Sequence, residues 1–186
     1  MCGIARNMAN QGIQLIAKTM RPLMPIVRSE KMKIFKSLKL QFRPPKINDP
    51  DFGQLTFMYI SNHPERSYWE GEWMFPPTAT PVSIGLDGDE SGPKPEGRQW
   101  YLELQPRFRR ILELARPELA EVFKKWLQQD LPEDIFTVVK LSGFGVENPR
   151  VHPVEWDISF ETTGDKWLGI TIPFVGDEPR EAVVDT

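Results

Sequence analysis

The sequence predicts an α+β fold, in which an antiparallel sheet of about six strands packs on a kinked helix or helix pair inserted between strands 3 and 4. In two stretches of the chain, apolar residues alternate with polar ones, which is the period of half-buried strands. Between them, from Pro95 to Gln129, apolar residues recur at steps of three and four, which is the period of an amphipathic helix. Strands, then helix, then strands with short connections are typical of α+β domains rather than of a parallel βαβ repeat.

The first three predicted strands form a hairpin with one added strand. Residues 52–60 and 68–75 are rich in β-branched and aromatic side chains, and a polar turn at 61–66 separates them. In the second segment, one face carries Trp69, Gly71, Trp73 and Phe75, and the other carries Glu70, Glu72 and Met74. Residues 81–86 supply the third strand, and the acidic residues 87–93 are predicted to form a flexible loop.

The predicted helix carries a single apolar stripe. Its members are Leu104, Phe108, Ile111, Leu112, Ala115, Leu119, Val122, Phe123 and Trp126. The stripe stays in phase across Pro117, although a proline in a helix interior removes a hydrogen bond and costs about 3 kcal/mol. We therefore expect a kink or a break at Pro117, and a second bend or a helix start at Pro106.

Three further strands are predicted after the helix, at 135–141, 154–160 and 167–175. A short turn at 163–165 joins the last two, which indicates a second hairpin. Along the middle strand, Trp156, Ile158 and Phe160 alternate with Asp157, Ser159 and Glu161. One face of this strand is therefore expected to contact water.

Composition limits the classes of function. The chain has 186 residues, enough for one domain with a core, and its single cysteine, Cys2, cannot form an intramolecular disulfide. A reducing, cytoplasmic location is therefore predicted. A net charge of −3 gives no overall attraction for nucleic acid, so no nucleic-acid partner is predicted. The apolar stretch at 13–27 is interrupted by Lys18, Arg21 and two prolines, so no transmembrane segment is predicted.

Charge is distributed unevenly along the chain. Residues 1–46 contain ten Lys or Arg residues and one acidic residue, Glu30. This segment is predicted to be a basic N-terminal extension, partly helical or loosely ordered, and residues 47–186 are predicted to form a single α+β domain. Because basic amphipathic segments can lie on anionic lipid, association with a membrane surface through this extension is one alternative for function.

The tryptophans are the least ordinary feature of the sequence. Most of the six are expected in the core, where each buries a large area. At least one near Tyr68 is expected to be exposed, because it follows a flexible turn and because Trp and Tyr are enriched at interface hot spots. The predicted partner-binding residues are Tyr68, Trp69, Glu70, Glu72, Asp87, Asp89 and Glu90. This acidic and aromatic set suits a basic protein partner.

Four segments carry a resemblance to known sequences. They are Asp51-Phe-Gly-Gln-Leu, Trp69-Glu-Gly-Glu, Val82-Ser-Ile and Trp167-Leu-Gly-Ile-Thr-Ile-Pro-Phe. Together they are similar to small uncharacterised bacterial α+β domains, which occur as stand-alone proteins or near toxin and immunity genes. The resemblance implies a fold and a binding role, and it includes no site residues.

No group of residues identifies a reaction, and no catalytic residue, metal ligand or cofactor is predicted. The sequence therefore favours a non-catalytic protein-binding or immunity-type module over an enzyme. A hydrolase or transferase is the alternative, with carboxylates in a cleft between the sheet and the helices. The acids for such chemistry would be Glu70, Glu72, Asp157 and Glu161, which share a predicted strand context.

Overall fold

The computed structural model describes residues 38–186, which belong to one compact unit, Ser37–Thr186. These residues form an α+β fold with one long helix, Pro95–Val122, and ten strands. The strands are β1 (Lys46–Asp49), β2 (Gly53–Met58), β3 (Tyr68–Phe75), β4 (Thr80–Asp89), β5 (Gly92–Pro93), β6 (Val139–Val146), β7 (Glu155–Thr162), β8 (Gly169–Val175), β9 (Glu178–Pro179) and β10 (Val183–Asp185). Short 3₁₀ turns occur at Pro64–Arg66 and Ile135–Thr137.

The strands form one open sheet in the order β1-β2-β3-β4-β6-β7-β8-β10, with β5 beside β4 and β9 beside β8. All neighbours are antiparallel except β4 and β6, which run parallel and pair at Ser83–Gly143 and Ile84–Phe144. The long helix is the crossover between these two strands, and a parallel pair requires such a connection. The predicted α+β class and mostly antiparallel sheet are confirmed.

The number of strands, the position of the helix and the loop at 87–93 were predicted incorrectly. The sheet has ten strands rather than six, because β1, β5, β9 and β10 contain only two to four residues each and show no readable alternation. The long helix follows the fifth strand and precedes the sixth, rather than lying between the third and fourth. The expected flexible loop at 87–93 is instead the end of β4, a turn, and β5.

The helix continues through both Pro106 and Pro117, so the predicted break into a helix pair is wrong. Each proline removes the hydrogen bond to the carbonyl four residues earlier, at Leu102 and Glu113. Both prolines are exposed on the side opposite the apolar stripe, so water can reach that side of the helix. Burial of the stripe holds the helix together, and its last turn, Phe123–Leu127, widens into a π-helix.

The helix covers one face of the sheet, and aromatic rings fill the interface. Phe108 meets Phe75 of β3 edge to face at 4.8 Å between ring centroids, and Trp100 meets Trp156 of β7 at 5.5 Å. These contacts attach the helix to both halves of the sheet, on either side of the β4–β6 junction. The core is therefore a single aromatic-rich layer between the helix and the sheet.

Four of the six tryptophans are core residues, and the expectation of an exposed tryptophan near Tyr68 is wrong. Trp69 and Trp73 are 0% and 2% exposed, because the alternation of β3 turns both toward the helix. Trp100 and Trp156 are also buried. The exposed tryptophans are Trp126, at 38%, and Trp167, at 52%.

The predicted basic extension, residues 1–46, lies outside the described residues except for 38–46. Residues 38–42 are helical, and Leu40 belongs to the hydrophobic core. Between residues 38 and 186, no helix combines the length and the apolar character needed to cross a membrane.

Candidate functional site

The face of the sheet away from the long helix carries a groove across β3, β4, β6 and β7. We call it the sheet groove; its volume is about 430 Å³. Its floor is made of small residues: Ser83, Gly85, Ser142, Gly143, Gly145 and Ser159. Its walls carry Tyr68, Glu70, Asp157 and Glu161. A second hollow of about 630 Å³ continues it past Tyr68, Gly85 and Gly145 toward the β2–β3 and β6–β7 loops.

Two glycines of β6 determine the depth of the groove. A Cβ atom on Gly143 would lie 3.0 Å from the carbonyl oxygen of Ser83, so this glycine permits the close approach of β4 and β6. A Cβ atom on Gly145 would lie 2.5 Å from Oδ2 of Asp157, its cross-strand partner. The carboxylate of Asp157 therefore lies across the backbone of β6, where a larger residue would displace it.

Within the described sheet, β4 and β6 pair at only two positions. The Tyr101 side chain of the long helix lies where this pairing ends. The Tyr101 hydroxyl lies 3.0 Å from the carbonyl oxygen of Gly85 and 3.1 Å from that of Phe144, and it can donate to either. The backbone N–H of Gly85 donates to the same hydroxyl at 3.2 Å. Burial raises the pKa of Tyr101 far above its usual range, so the hydroxyl keeps its proton.

The groove is electronegative. Three acids, Glu70, Asp157 and Glu161, line its first part. Glu65, Asp87 and Glu147 line the second hollow together with one basic residue, Arg66. Two of these acids are paired with lysines at the edge: Glu161 with Lys140 at 2.7 Å, and Asp87 with Lys94. Since the floor of the groove carries no charge of its own, the acids dominate the potential that a ligand would meet.

Asp157 is an acid of the groove whose pKa is raised. Burial raises the pKa of Asp157 and the charge of Glu147 raises it further, while hydrogen bonds to the Gly145 backbone and to Ser159 oppose the rise. An acid with a raised pKa is less favourable as an ion in the folded protein than in the unfolded chain. The ionised Asp157 at neutral pH therefore costs stability, which is common for groups retained for binding.

Asp157→Asn is accordingly expected to raise the free energy of unfolding at neutral pH, because asparagine has no charge to bury. The gain should shrink as the pH falls toward the unfolded-chain pKa of about 3.9, since wild-type Asp157 then becomes protonated. Urea denaturation at neutral pH and at about pH 3.5 measures the difference. Asp165→Asn, in an exposed turn, is the control. An equal gain at both pH values would contradict the assignment.

The structure brings together part of the predicted partner-binding set. Tyr68, Glu70 and Asp87 line the groove or its continuation, and Glu72 lies on the same face of β3, opposite Ser83. Asp89 is the last residue of β4 and Glu90 lies in the β4–β5 turn, where the Asp89 carboxylate accepts a hydrogen bond from the Ser91 backbone N–H at 2.8 Å. That turn is outside the groove lining.

Trp69 cannot contact a partner in this fold. Its side chain is fully buried, and its indole N–H donates to the Asp89 carbonyl oxygen at 2.8 Å. Its ring also packs on Phe57 at 5.3 Å between centroids. The prediction of Trp69 as a binding residue is therefore corrected: it supports the strand that carries Tyr68 and Glu70.

Several groove residues escaped the sequence-based site. They are Ser83, Gly85, Ser142, Gly143, Gly145, Glu147 and Ser159. An alternation of small residues with buried apolar ones could have identified four of them. Ser83 and Gly85 flank Ile84, and Gly143 and Gly145 flank Phe144. Asp157 and Glu161 were expected only as candidate catalytic acids, and both lie in the groove.

Within the described part of the chain, no three His, Cys, Asp or Glu side chains converge on a position that could hold a metal ion. Comparison with known proteins gives no match to a family model, to a curated protein or to a solved structure.

Proposed function

We propose that this protein is a non-catalytic binding module, of immunity type, which uses the sheet groove to bind a basic segment of another protein. The observation that carries the proposal is the face of the sheet left uncovered by the helix, with a floor of glycine and serine and walls of acidic residues. A floor without bulky side chains allows an extended chain to approach the strands closely. Acidic walls attract Lys and Arg side chains and reject acidic competitors.

Charge placement supports a protein rather than a small-molecule ligand. Small-molecule sites are mostly apolar and enclosed, whereas this groove is open and its lining includes six acidic residues. The acids lie on five different elements: the 3₁₀ turn Pro64–Arg66, β3, β4, β7 and the β6–β7 loop. A partner that met all of them would span the width of several strands, as protein interfaces do.

The carboxylate-chemistry alternative rests on one feature, the raised pKa of Asp157 beside Glu147. A general acid and base would need to act on a substrate held away from bulk water. An open groove of small residues offers no such enclosure, so the binding function is the better supported of the two.

Neutralising the groove tests the binding function. A variant with Glu70→Gln, Asp157→Asn and Glu161→Gln is expected to bind the native partner about tenfold more weakly, because each lost rim charge removes a few tenths to about 1 kcal/mol. A matched control carries Glu103→Gln, Glu113→Gln and Glu121→Gln on the exposed side of the long helix, so both variants have the same net charge.

The partner is obtained by pull-down at low salt from the native host, and the product of any adjacent toxin gene is the first candidate to purify. Titration of the purified partner then compares the wild type and both variants across a range of salt concentrations. Loss of affinity in the groove variant alone supports the proposal. Equal affinity of the two variants, or no partner above background, would count against it.

A further inference from the structure

Trp167 stands out among the exposed residues, since 52% of this large apolar side chain is exposed to solvent. It lies two residues before the start of β8, and its ring packs over Gly169: a Cβ atom on Gly169 would lie 3.3 Å from Cη2 and 3.5 Å from Cζ2 of Trp167. Leu168 and Ile170, on either side of Gly169, are fully buried against the core. Gly169 therefore faces away from the helix, and the Trp167 ring lies on the same face of the sheet as the groove.

Two acidic residues flank Gly169, over which this ring lies. The cross-strand partners of Gly169 are Glu161 on β7 and Asp185 on β10. The Cβ of Asp185 is 3.5 Å from the position of a Cβ on Gly169, so Asp185 and the Trp167 ring both lie beside this glycine. Glu161 is also a wall residue of the groove. The ring thus lies over Gly169, between the strand that carries Glu161, an acid of the groove, and the outer strand that carries Asp185.

We infer that Trp167, Glu161 and Asp185 form a subsite for an arginine side chain of the basic partner, an inference that rests on the proposed function. A guanidinium stacks on an aromatic face and donates in its own plane to carboxylates, whereas an ammonium is a compact point charge. An exposed indole with an acidic residue on each of the two neighbouring strands offers both interactions. Trp and Arg are also the residue types most enriched at interface hot spots.

The cations already near the subsite leave the indole face accessible. Lys166 lies over the ring of Trp126, at 5.5 Å from its centroid, and donates to the Trp126 carbonyl oxygen at 3.2 Å, so it is directed to the other exposed tryptophan. Lys140 on β6 pairs with Glu161 at 2.7 Å from the opposite side of β7, so a guanidinium over Trp167 would compete with it for this carboxylate. Trp126 with its lysine is therefore a natural control for Trp167.

The test uses the full chain and three acetylated, amidated probe peptides: (Gly-Arg)₄, (Gly-Lys)₄ and (Gly-citrulline)₄. Isothermal titration at low salt is expected to rank them Arg, then Lys, then citrulline, for which no binding is expected. Trp167→Ala should weaken binding of the arginine peptide about three- to thirtyfold, in line with the range of cation–π interactions. It should leave the lysine peptide nearly unchanged, and Trp126→Ala should change neither. Near-UV circular dichroism checks that each variant is folded.

The possible outcomes distinguish failure of the arginine subsite from failure of the proposed binding function. If Trp167→Ala binds the arginine peptide as well as the wild type does, while the groove-neutralised variant loses both cationic peptides, the arginine subsite is wrong and the binding function stands. Equal affinity of the wild type for the arginine and lysine peptides also overturns the subsite. If the groove-neutralised variant binds as tightly as the helix-face control, the binding function itself is contradicted. Loss of arginine preference in Trp167→Ala alone supports the inference.

Discussion

Trp69→Ala is expected to lower the free energy of unfolding by about 3 to 5 kcal/mol, the usual cost of removing a fully buried aromatic side chain. The indole is 0% exposed and packs against Phe57, and its N–H group satisfies the Asp89 carbonyl at the β4–β5 turn. Since a domain of this size is stable by about 5 to 15 kcal/mol in total, the variant should be close to unfolding at physiological temperature. Urea denaturation followed by circular dichroism measures the loss.

Two companion variants make this result specific. Trp69→Phe keeps a ring in the core but removes the donor to Asp89, so it should lose less than the alanine variant. Trp167→Ala removes the same chemical group from a half-exposed site, where stability should change by less than about 1 kcal/mol. Similar losses for Trp69→Ala and Trp167→Ala would show that Trp69 is not a core residue and would restore it as a candidate binding residue.

The orientation of Trp69 was predictable from the sequence, and its exposure was a mistaken inference. The alternation of β3 places Trp69 with Trp73 and Phe75 on one face and Glu70 with Glu72 on the other, and burial in the structure follows this division. The enrichment of tryptophan at interfaces is a statistical preference, whereas the period of a strand is geometric. Where the two disagreed, the geometric argument was correct.

The apolar stripe of the long helix was predictable because its period is also geometric. The continuity of the helix through Pro117 was not predictable. Its period depends on residues within a few turns of one another, and Leu104, Phe108 and Ile111 are all buried as expected. The effect of Pro117 depends instead on which side of the helix meets solvent. That side became known only once the stripe was packed on the sheet, where Pro117 faces water.

The groove could not be predicted from the sequence because it is formed by strand pairings between distant parts of the chain. Its floor exists because Ser83 of β4 lies beside Gly143 of β6, and the long helix separates these residues in sequence. The antiparallel hairpins on each side were readable from local turns, but nothing local specifies that β4 and β6 meet in parallel at the centre of the sheet. The sequence grouped Glu70 and Asp157 only as candidate acids of a cleft between the sheet and the helices, whereas both line the groove on the opposite face.

Tyr101→Phe is expected to lower the free energy of unfolding by about 2 to 3 kcal/mol, which is large for the loss of one oxygen atom. The buried hydroxyl serves the N–H and carbonyl of Gly85 and the carbonyl of Phe144, and phenylalanine leaves these groups without it. A buried backbone group without a hydrogen-bond partner costs about 1 to 3 kcal/mol. Urea denaturation measures the total, and native-state hydrogen exchange should show faster exchange of the Gly85 amide.

This variant also connects stability to the proposed binding face, because Gly85 lies in the floor of the groove directly above the Tyr101 hydroxyl. Loss of the hydroxyl should loosen the β4–β6 junction on the side that faces the helix. It should therefore weaken binding of the basic partner without altering any acidic residue. Tyr59→Phe, at a tyrosine only partly buried against the core, is the control and should change neither quantity appreciably. Unchanged stability and unchanged Gly85 exchange in Tyr101→Phe would mean that β4 and β6 hold together at this point without the helix. The shape of the groove would then depend only on the absence of a Cβ atom at Gly143 and Gly145.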